Sequence, residues 1–137
     1  MKRKMHWGIV VLAACMGLVS QSVVGQQTPP TENKGVTVKP IGTVDLGPEI
    51  DGMSGRQLRM RMITLEPGGV FAVHDHKDRP AVEHILKGSA TEFRGSAEKV
   101  IREGESVRSD KETTHWWRND GSVPAVFMVV DVFHTKP

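Results

Sequence analysis

Gly68-Gly69-Val70-Phe71-Ala72-Val73-His74-Asp75-His76 and, after the polar turn Lys77-Asp78-Arg79-Pro80, Ala81-Val82-Glu83-His84-Ile85-Leu86-Lys87-Gly88 carry the architecture in miniature. Each run is short and rich in Val, Ile and Ala, and glycine or proline punctuates both. Such runs read as neighbouring β-strands. In an extended strand, residues two apart share a face. His74 and His76 therefore point the same way, with Asp75 turned to the other side. Two imidazoles on one strand face can bind a single metal, provided that another strand supplies a further ligand.

The same pattern continues outward in both directions. Residues 36–38 and 41–46 read as short strands around Pro40. Residues 56–65 alternate, with Leu58, Met60 and Met62 on one face and Arg59 and Arg61 on the other, until Pro67-Gly68-Gly69 breaks the run. Residues 91–94, 99–102, 106–108, 115–118 and 125–133 follow as strands, and Asn119-Asp120-Gly121-Ser122 is a turn. The last strand is apolar on both faces, as a covered central strand would be. No amphipathic helix stands out after residue 26. Many short strands at this spacing predict an all-β sandwich or barrel. Glycine-rich phosphate loops, paired zinc-type cysteines and a serine nucleophile elbow are all missing from the sequence.

The chain has 137 residues, 18 of them Lys or Arg and 16 Asp or Glu, for a formal net charge of +2. That length allows one domain. With 25% charged and 38% hydrophobic residues, the composition is that of a globular protein. The positive charge is local. Residues 1–25 hold Lys2, Arg3 and Lys4 and no acid, so the remainder has 15 basic against 16 acidic side chains, a net −1. A basic surface for nucleic acid is therefore not expected. Cys15 is the single cysteine, which excludes an internal disulfide framework.

Lys2-Arg3-Lys4 followed by the apolar residues 9–19 has the order of a secretory signal peptide, with cleavage after Gly25. Leu12-Ala13-Ala14-Cys15 alternatively resembles a bacterial lipobox, in which lipidated Cys15 would hold the protein at a membrane. Both readings place the domain outside the cytoplasm, periplasmic or secreted. The expected organisation is a signal peptide at 1–25, a disordered Pro-rich linker at 26–35 and a β-barrel domain at 36–137.

His115, opening His115-Trp116-Trp117, is the natural third ligand to join His74 and His76. Glu83 interrupts an apolar alternation, where a charge is costly unless it is paired or bound to a metal. Taken alone, a His-x-His is often a surface pair, and Glu83 could equally pair with Arg79. His84 and His134 read as structural or exposed.

The combined pattern resembles the cupin superfamily, in particular its small single-domain, cupin-2-like members. The first family motif, Gly, five residues and His-x-His, is met by Gly68, His74 and His76, with Gly88 closing it. The second, Gly, five residues, Pro-x-Gly, two residues, His, three residues and Asn, is met in spacing from Gly104 through His115 to Asn119. Two positions depart: Asp110 stands for the proline and Glu112 for the glycine. The family glutamate falls on Ala81, and Glu83 is two residues further along the same strand face, ~7 Å away.

The resemblance implies an antiparallel jelly-roll barrel, the cupin double-stranded β-helix, with a metal inside its mouth. It implies His74, His76 and His115 as metal ligands, Glu83 either as a fourth ligand or as a catalytic acid or base beside a metal held by three histidines and water, and Trp117, Met62 and Phe71 as substrate contacts. Met60 and either Phe127 or Met128 are further candidates for the inner wall. Imidazole ligands suit Fe, Mn, Ni, Cu or Zn as divalent ions. The implied activity is metal-dependent, of dioxygenase, isomerase or lyase type, on a small molecule. A non-catalytic metal- or ligand-binding module is the alternative. Pairing into a homodimer through the outer strands is also implied.

Overall fold

The structure, a computed structural model, describes residues 27–135. The expected signal peptide at 1–25, Cys15 included, lies outside the described residues. Eight strands follow in order: β1 (Lys34–Asp45), β2 (Arg56–Asp75), β3 (Ala81–Lys87), β4 (Ser89–Arg94), β5 (Ala97–Arg102), β6 (Ser106–Ser109), β7 (Thr114–Arg118) and β8 (Ala125–His134). No helix occurs among the described residues. The hydrogen-bonded order is β5-β4-β7-β2-β8-β3-β6, with β1 added along β2. Every pairing is antiparallel. The result is an antiparallel jelly-roll barrel.

β2 organises this barrel. Its first half pairs with β1 and β8 as far as Leu65, and its last residues, from Val70 on, pair with β7, Val70 also meeting Lys34 of β1. The sequence predicts a break at Pro67-Gly68-Gly69, yet one strand runs through it. Pro67 has no N–H to offer a ladder, and Gly68 takes φ 69°. The β8 ladder therefore stops at Leu65, Gly68 N donates to Asn119 O at 2.9 Å and Gly69 O accepts from Asn119 N at 3.0 Å, and the strand crosses from one sheet to the other. β1 is likewise one strand, with a register shift between Pro40 and Gly42.

The faces of β2 are the reverse of those expected from its apolar alternation. Leu58 and Met60 are 41% and 38% exposed. Ile63 and Leu65 belong to the core with Ile85, Trp117, Phe127 and Val129. Arg59 and Arg61 share the parity of Ile63 and Leu65, and so lie on the inner side. The cause is Asp131 in β8, whose side chain is fully buried and binds both guanidiniums. A buried carboxylate needs such partners. Met60 and Met62 are therefore not inner-wall residues. Met62 lies level with Lys39 and Met128 on the outer face.

Gly88 shows why the turn from β3 to β4 takes glycine. Its φ is 72°, and a Cβ there would stand 2.7 Å from Pro124 O. Residues 27–33 have no regular structure, and β1 begins at Lys34, two residues inside the stretch expected as a linker. Ala72 N donates to Asn33 Oδ1 at 2.8 Å, and Val73 N donates to Pro30 O at 2.8 Å.

Candidate metal centre

Those two hydrogen bonds mark a β-bulge. Phe71 pairs with Trp117 and His74 with His115, so three steps along β2 answer two along β7. The extra residue changes the parity of the strand. As a result Phe71 and His74, odd and even in number, both turn inward, with ring centroids 4.9 Å apart. The amides that the bulge releases are those taken by Asn33 and Pro30.

His76 lies just past the end of β2, and its N–H donates to Thr113 O at 2.9 Å. Thr113 closes the turn in which Asp110 and Glu112 replace the expected proline and glycine. Asp110 Oδ1 accepts there from Glu112 N at 3.1 Å and from Thr113 Oγ1 at 3.0 Å. The acidic turn is thus self-capped, and it leads directly into His115.

The three imidazoles meet at their Nε2 atoms. His115 Nε2 is 3.0 Å from His76 Nε2 and 3.1 Å from His74 Nε2. The other ring nitrogen of each histidine has a partner that can only accept. His74 Nδ1–H donates to Ala72 O at 2.9 Å, and His76 Nδ1–H donates to Arg79 O at 3.0 Å. His115 Nδ1–H donates to Glu92 Oε1 at 2.6 Å. With the Nδ1 protons so placed, Nε2 is the atom of each ring left to present a lone pair. Burial lowers the pKa of His74 and of His76 to about 4, opposed in each case by the carbonyl hydrogen bond. Three converging lone pairs repel one another unless a cation lies between them. Metal–nitrogen bonds of ~2.1 Å at right angles would set the nitrogens ~3.0 Å apart. The donor set fits a divalent transition metal.

Glu92 was not anticipated from the sequence. Burial pushes its pKa up, but hydrogen bonds from His115 and Arg94 outweigh this and hold it below the ordinary value. It is therefore an ionised carboxylate behind a ligand imidazole, which orients the ring and raises its basicity. A charge within Thr91-Glu92-Phe93 is the same kind of signal that Glu83 gives in β3.

Glu83 is buried beside the three histidines but outside their compact group. Its Oε1 is 3.7 Å from His76 Nε2, and its Oε2 accepts from Ser109 Oγ at 3.1 Å. Burial pushes its pKa up to about 7, against the lowering effect of Ser109.

A narrow cavity opens in front of His74 and His76, with about 20 Å³ open to the centre of a water molecule. That is room for about one water. Phe71, Trp117 and Phe127 form its apolar side, and Glu83, Arg61 and Arg79 are polar. Trp117 stands edge-on to His115, with centroids 5.5 Å apart. Of the expected substrate contacts, Phe71 and Trp117 therefore lie on the cavity and Met62 does not. Trp116 instead stacks on Phe93, with centroids 3.8 Å apart. His84 bonds Ser106 Oγ through Nδ1 at 2.9 Å, away from the site.

Residues 61–131 match the family model described as "Cupin domain". No curated protein matches the sequence. Among solved structures, polyketide cyclase RemF from Streptomyces resistomycificus is similar with a TM-score of 0.61 and 16% identity, over 79% of this chain and 72% of that one. A protein of Thermus thermophilus gives 0.57 and 23% identity, over 71% and 82%. The cupin domain of an XRE family transcriptional regulator from Enterobacter cloacae gives 0.55 and 17% identity, over 76% and 99%. At these identities the likeness speaks for the fold.

Proposed function

The chain belongs to the cupin family, and from that premise we propose that it is a metal-dependent enzyme acting on a small molecule outside the cytoplasm. One observation carries the reading: three imidazoles, each with its Nδ1 proton committed, aim their Nε2 lone pairs at one point beside a cavity. A divalent transition metal bound there would act as a Lewis acid on a coordinated oxygen. Fe, Mn, Ni, Cu and Zn all suit such ligands.

The chain's own groups divide the remaining work. His74, His76 and His115 would hold the ion, and Glu92 keeps the His115 ring in register. Glu83 Oε1 takes a proton from the substrate or returns one, while Ser109 steadies the other oxygen. Phe71, Trp117 and Phe127 keep bulk water from the apolar side of the cavity. Dioxygenase, isomerase and lyase chemistry all fit these roles. Residues 1–25 would direct export, and a homodimer would cover the exposed side chains of Leu58 and Met60.

Metal analysis of the purified protein tests the centre. Wild type should retain close to one equivalent, and His74→Ala and His115→Ala should retain none. Turnover of a panel of small acids, sugars and phenols by the loaded protein then tests catalysis. The small cavity favours a second reading, a non-catalytic metal- or ligand-binding module, which loaded but inactive protein would support.

A further inference from the structure

Charge is unevenly distributed around the cavity. Three guanidiniums converge on one carboxylate: Arg59 Nη2, Arg61 Nη2 and Arg79 Nη1 lie 2.8, 3.0 and 3.5 Å from Asp131 Oδ2. Arg59 alone makes the bidentate fork, its Nε reaching Asp131 Oδ1 at 3.0 Å. That geometry commits one edge of the Arg59 guanidinium and both oxygens of Asp131. Arg61 keeps a buried Nε–H with no partner among the described residues. Its side chain is only 14% exposed. Arg79 spends Nη2 on Asp75 O and makes a long contact to Asp131 through Nη1.

Arg61 and Arg79 line the cavity, and Arg59 does not. Arg61, Val129 and Glu83 are level with one another across β2, β8 and β3, which places Arg61 and Glu83 ~10 Å apart across the cavity wall. Glu83 is the sole acid on that wall, against the two guanidiniums of Arg61 and Arg79. The wall thus carries more buried positive charge than negative. An unpaired buried donor and an excess cation are both costly unless something answers them.

We propose that the ligand of this cavity is a small organic anion, with its carboxylate or enolate on Arg61 and Arg79 and its short apolar part against Phe71, Trp117 and Phe127. The planar fork of arginine suits such a group. The little space open to water limits the ligand to a few heavy atoms, unless it extends through the mouth. This assignment deepens the proposed function and rests on the same site, but its recognition element is separate from the histidines.

The test uses butyrate, 2-oxobutyrate and neutral butyramide as probes, titrated calorimetrically into metal-free and metal-loaded protein. The carboxylates should bind at least tenfold more tightly than the amide, in the metal-free protein already. Arg61→Gln should weaken carboxylate binding at least tenfold while metal content stays at the wild-type level. Arg59→Gln, which removes the fork to Asp131 but no cavity group, should lower thermal stability and leave carboxylate affinity within twofold. If Arg61→Gln does not fold, Arg79→Gln carries the same arm. Equal binding of acid and amide overturns the proposal, and so does an affinity unmoved by both cavity substitutions. Loss of metal with intact discrimination would instead count against the metal centre alone.

Discussion

Glu92 Oε1 lies 2.6 Å from His115 Nδ1, a carboxylate pressed against the back of a buried imidazole. Glu92 touches nothing in the cavity, yet it decides which nitrogen of His115 carries the proton. Glu92→Gln should retain the fold and weaken metal retention roughly 10- to 100-fold. Competition with a chromophoric chelator measures this. Wild-type affinity in the variant would mean that the backbone alone orients the ring.

Asn33 acts from outside the barrel. Its Oδ1 holds the Ala72 amide within the bulge that turns His74 inward. Asn33→Ala should cost ~1 kcal/mol of stability. It should also weaken metal binding several-fold, since His74 would be less well held. Asn33→Asp, which keeps the acceptor, should recover most of both. Equal loss in the two variants would assign the effect to something other than this hydrogen bond.

Asp131 anchors the inner polar cluster. Asp131→Asn should destabilise the fold by ~3–5 kcal/mol, because it leaves guanidiniums buried without a counter-charge. The pH dependence has a definite sign. Burial pushes the Asp131 pKa up, but the hydrogen bond from Arg59 and the charges of Arg61, Arg59 and Arg79 outweigh it and hold the carboxyl below its ordinary value. The stability it contributes is therefore complete above the unfolded pKa of about 3.9 and is lost as pH falls through the lower folded value. Urea unfolding at about pH 6 and about pH 3 should show a smaller acid loss in the variant than in wild type. An unchanged acid loss would remove Asp131 from the account.

Trp117 and Met62 make a paired contrast. Trp117 is buried on the cavity and against Phe127, with centroids 5.1 Å apart. Trp117→Ala should cost ~3–5 kcal/mol and weaken ligand binding markedly. Met62→Ala, on the outer face of the same sheet, should leave ligand affinity within twofold. Calorimetric titration of both variants decides the point, and a ligand-binding loss in Met62→Ala would contradict the assigned faces.

What was legible in the sequence was what local spacing controls. His-x-His in an extended run fixes a shared face, and the Gly104 to Asn119 interval places His115, so the three-histidine centre could be read from spacing and family pattern together. Alternation in residues 56–65 separated two faces correctly but could not say which one is inside. The deciding partner, Asp131, is some seventy residues away and surfaces only when β8 lies beside β2. The place of Arg61 and Arg79 on the cavity was hidden for the same reason. The bulge at Ala72–Val73 breaks the period on which face assignment depends, so Phe71 and His74 could not both be derived from parity. Glu92 carries a signal that the sequence does hold, for it is a charge within a buried strand just as Glu83 is.

The corner at Pro67–Gly69 has a consequence for how such a barrel could be altered. On one side of it, β2 carries Arg59 and Arg61 and leans on β8; on the other it carries His74, leads into His76 and leans on β7. Arg61 of the anion site and His74 of the ion site thus stand in separate halves of one continuous strand, joined at a corner where Gly68 and Gly69 bond to Asn119. Remodelling residues 56–65 together with β8 would change what the barrel accepts and leave the histidines in their own register. The corner is the natural crossover point for building chimeras with other barrels of this kind.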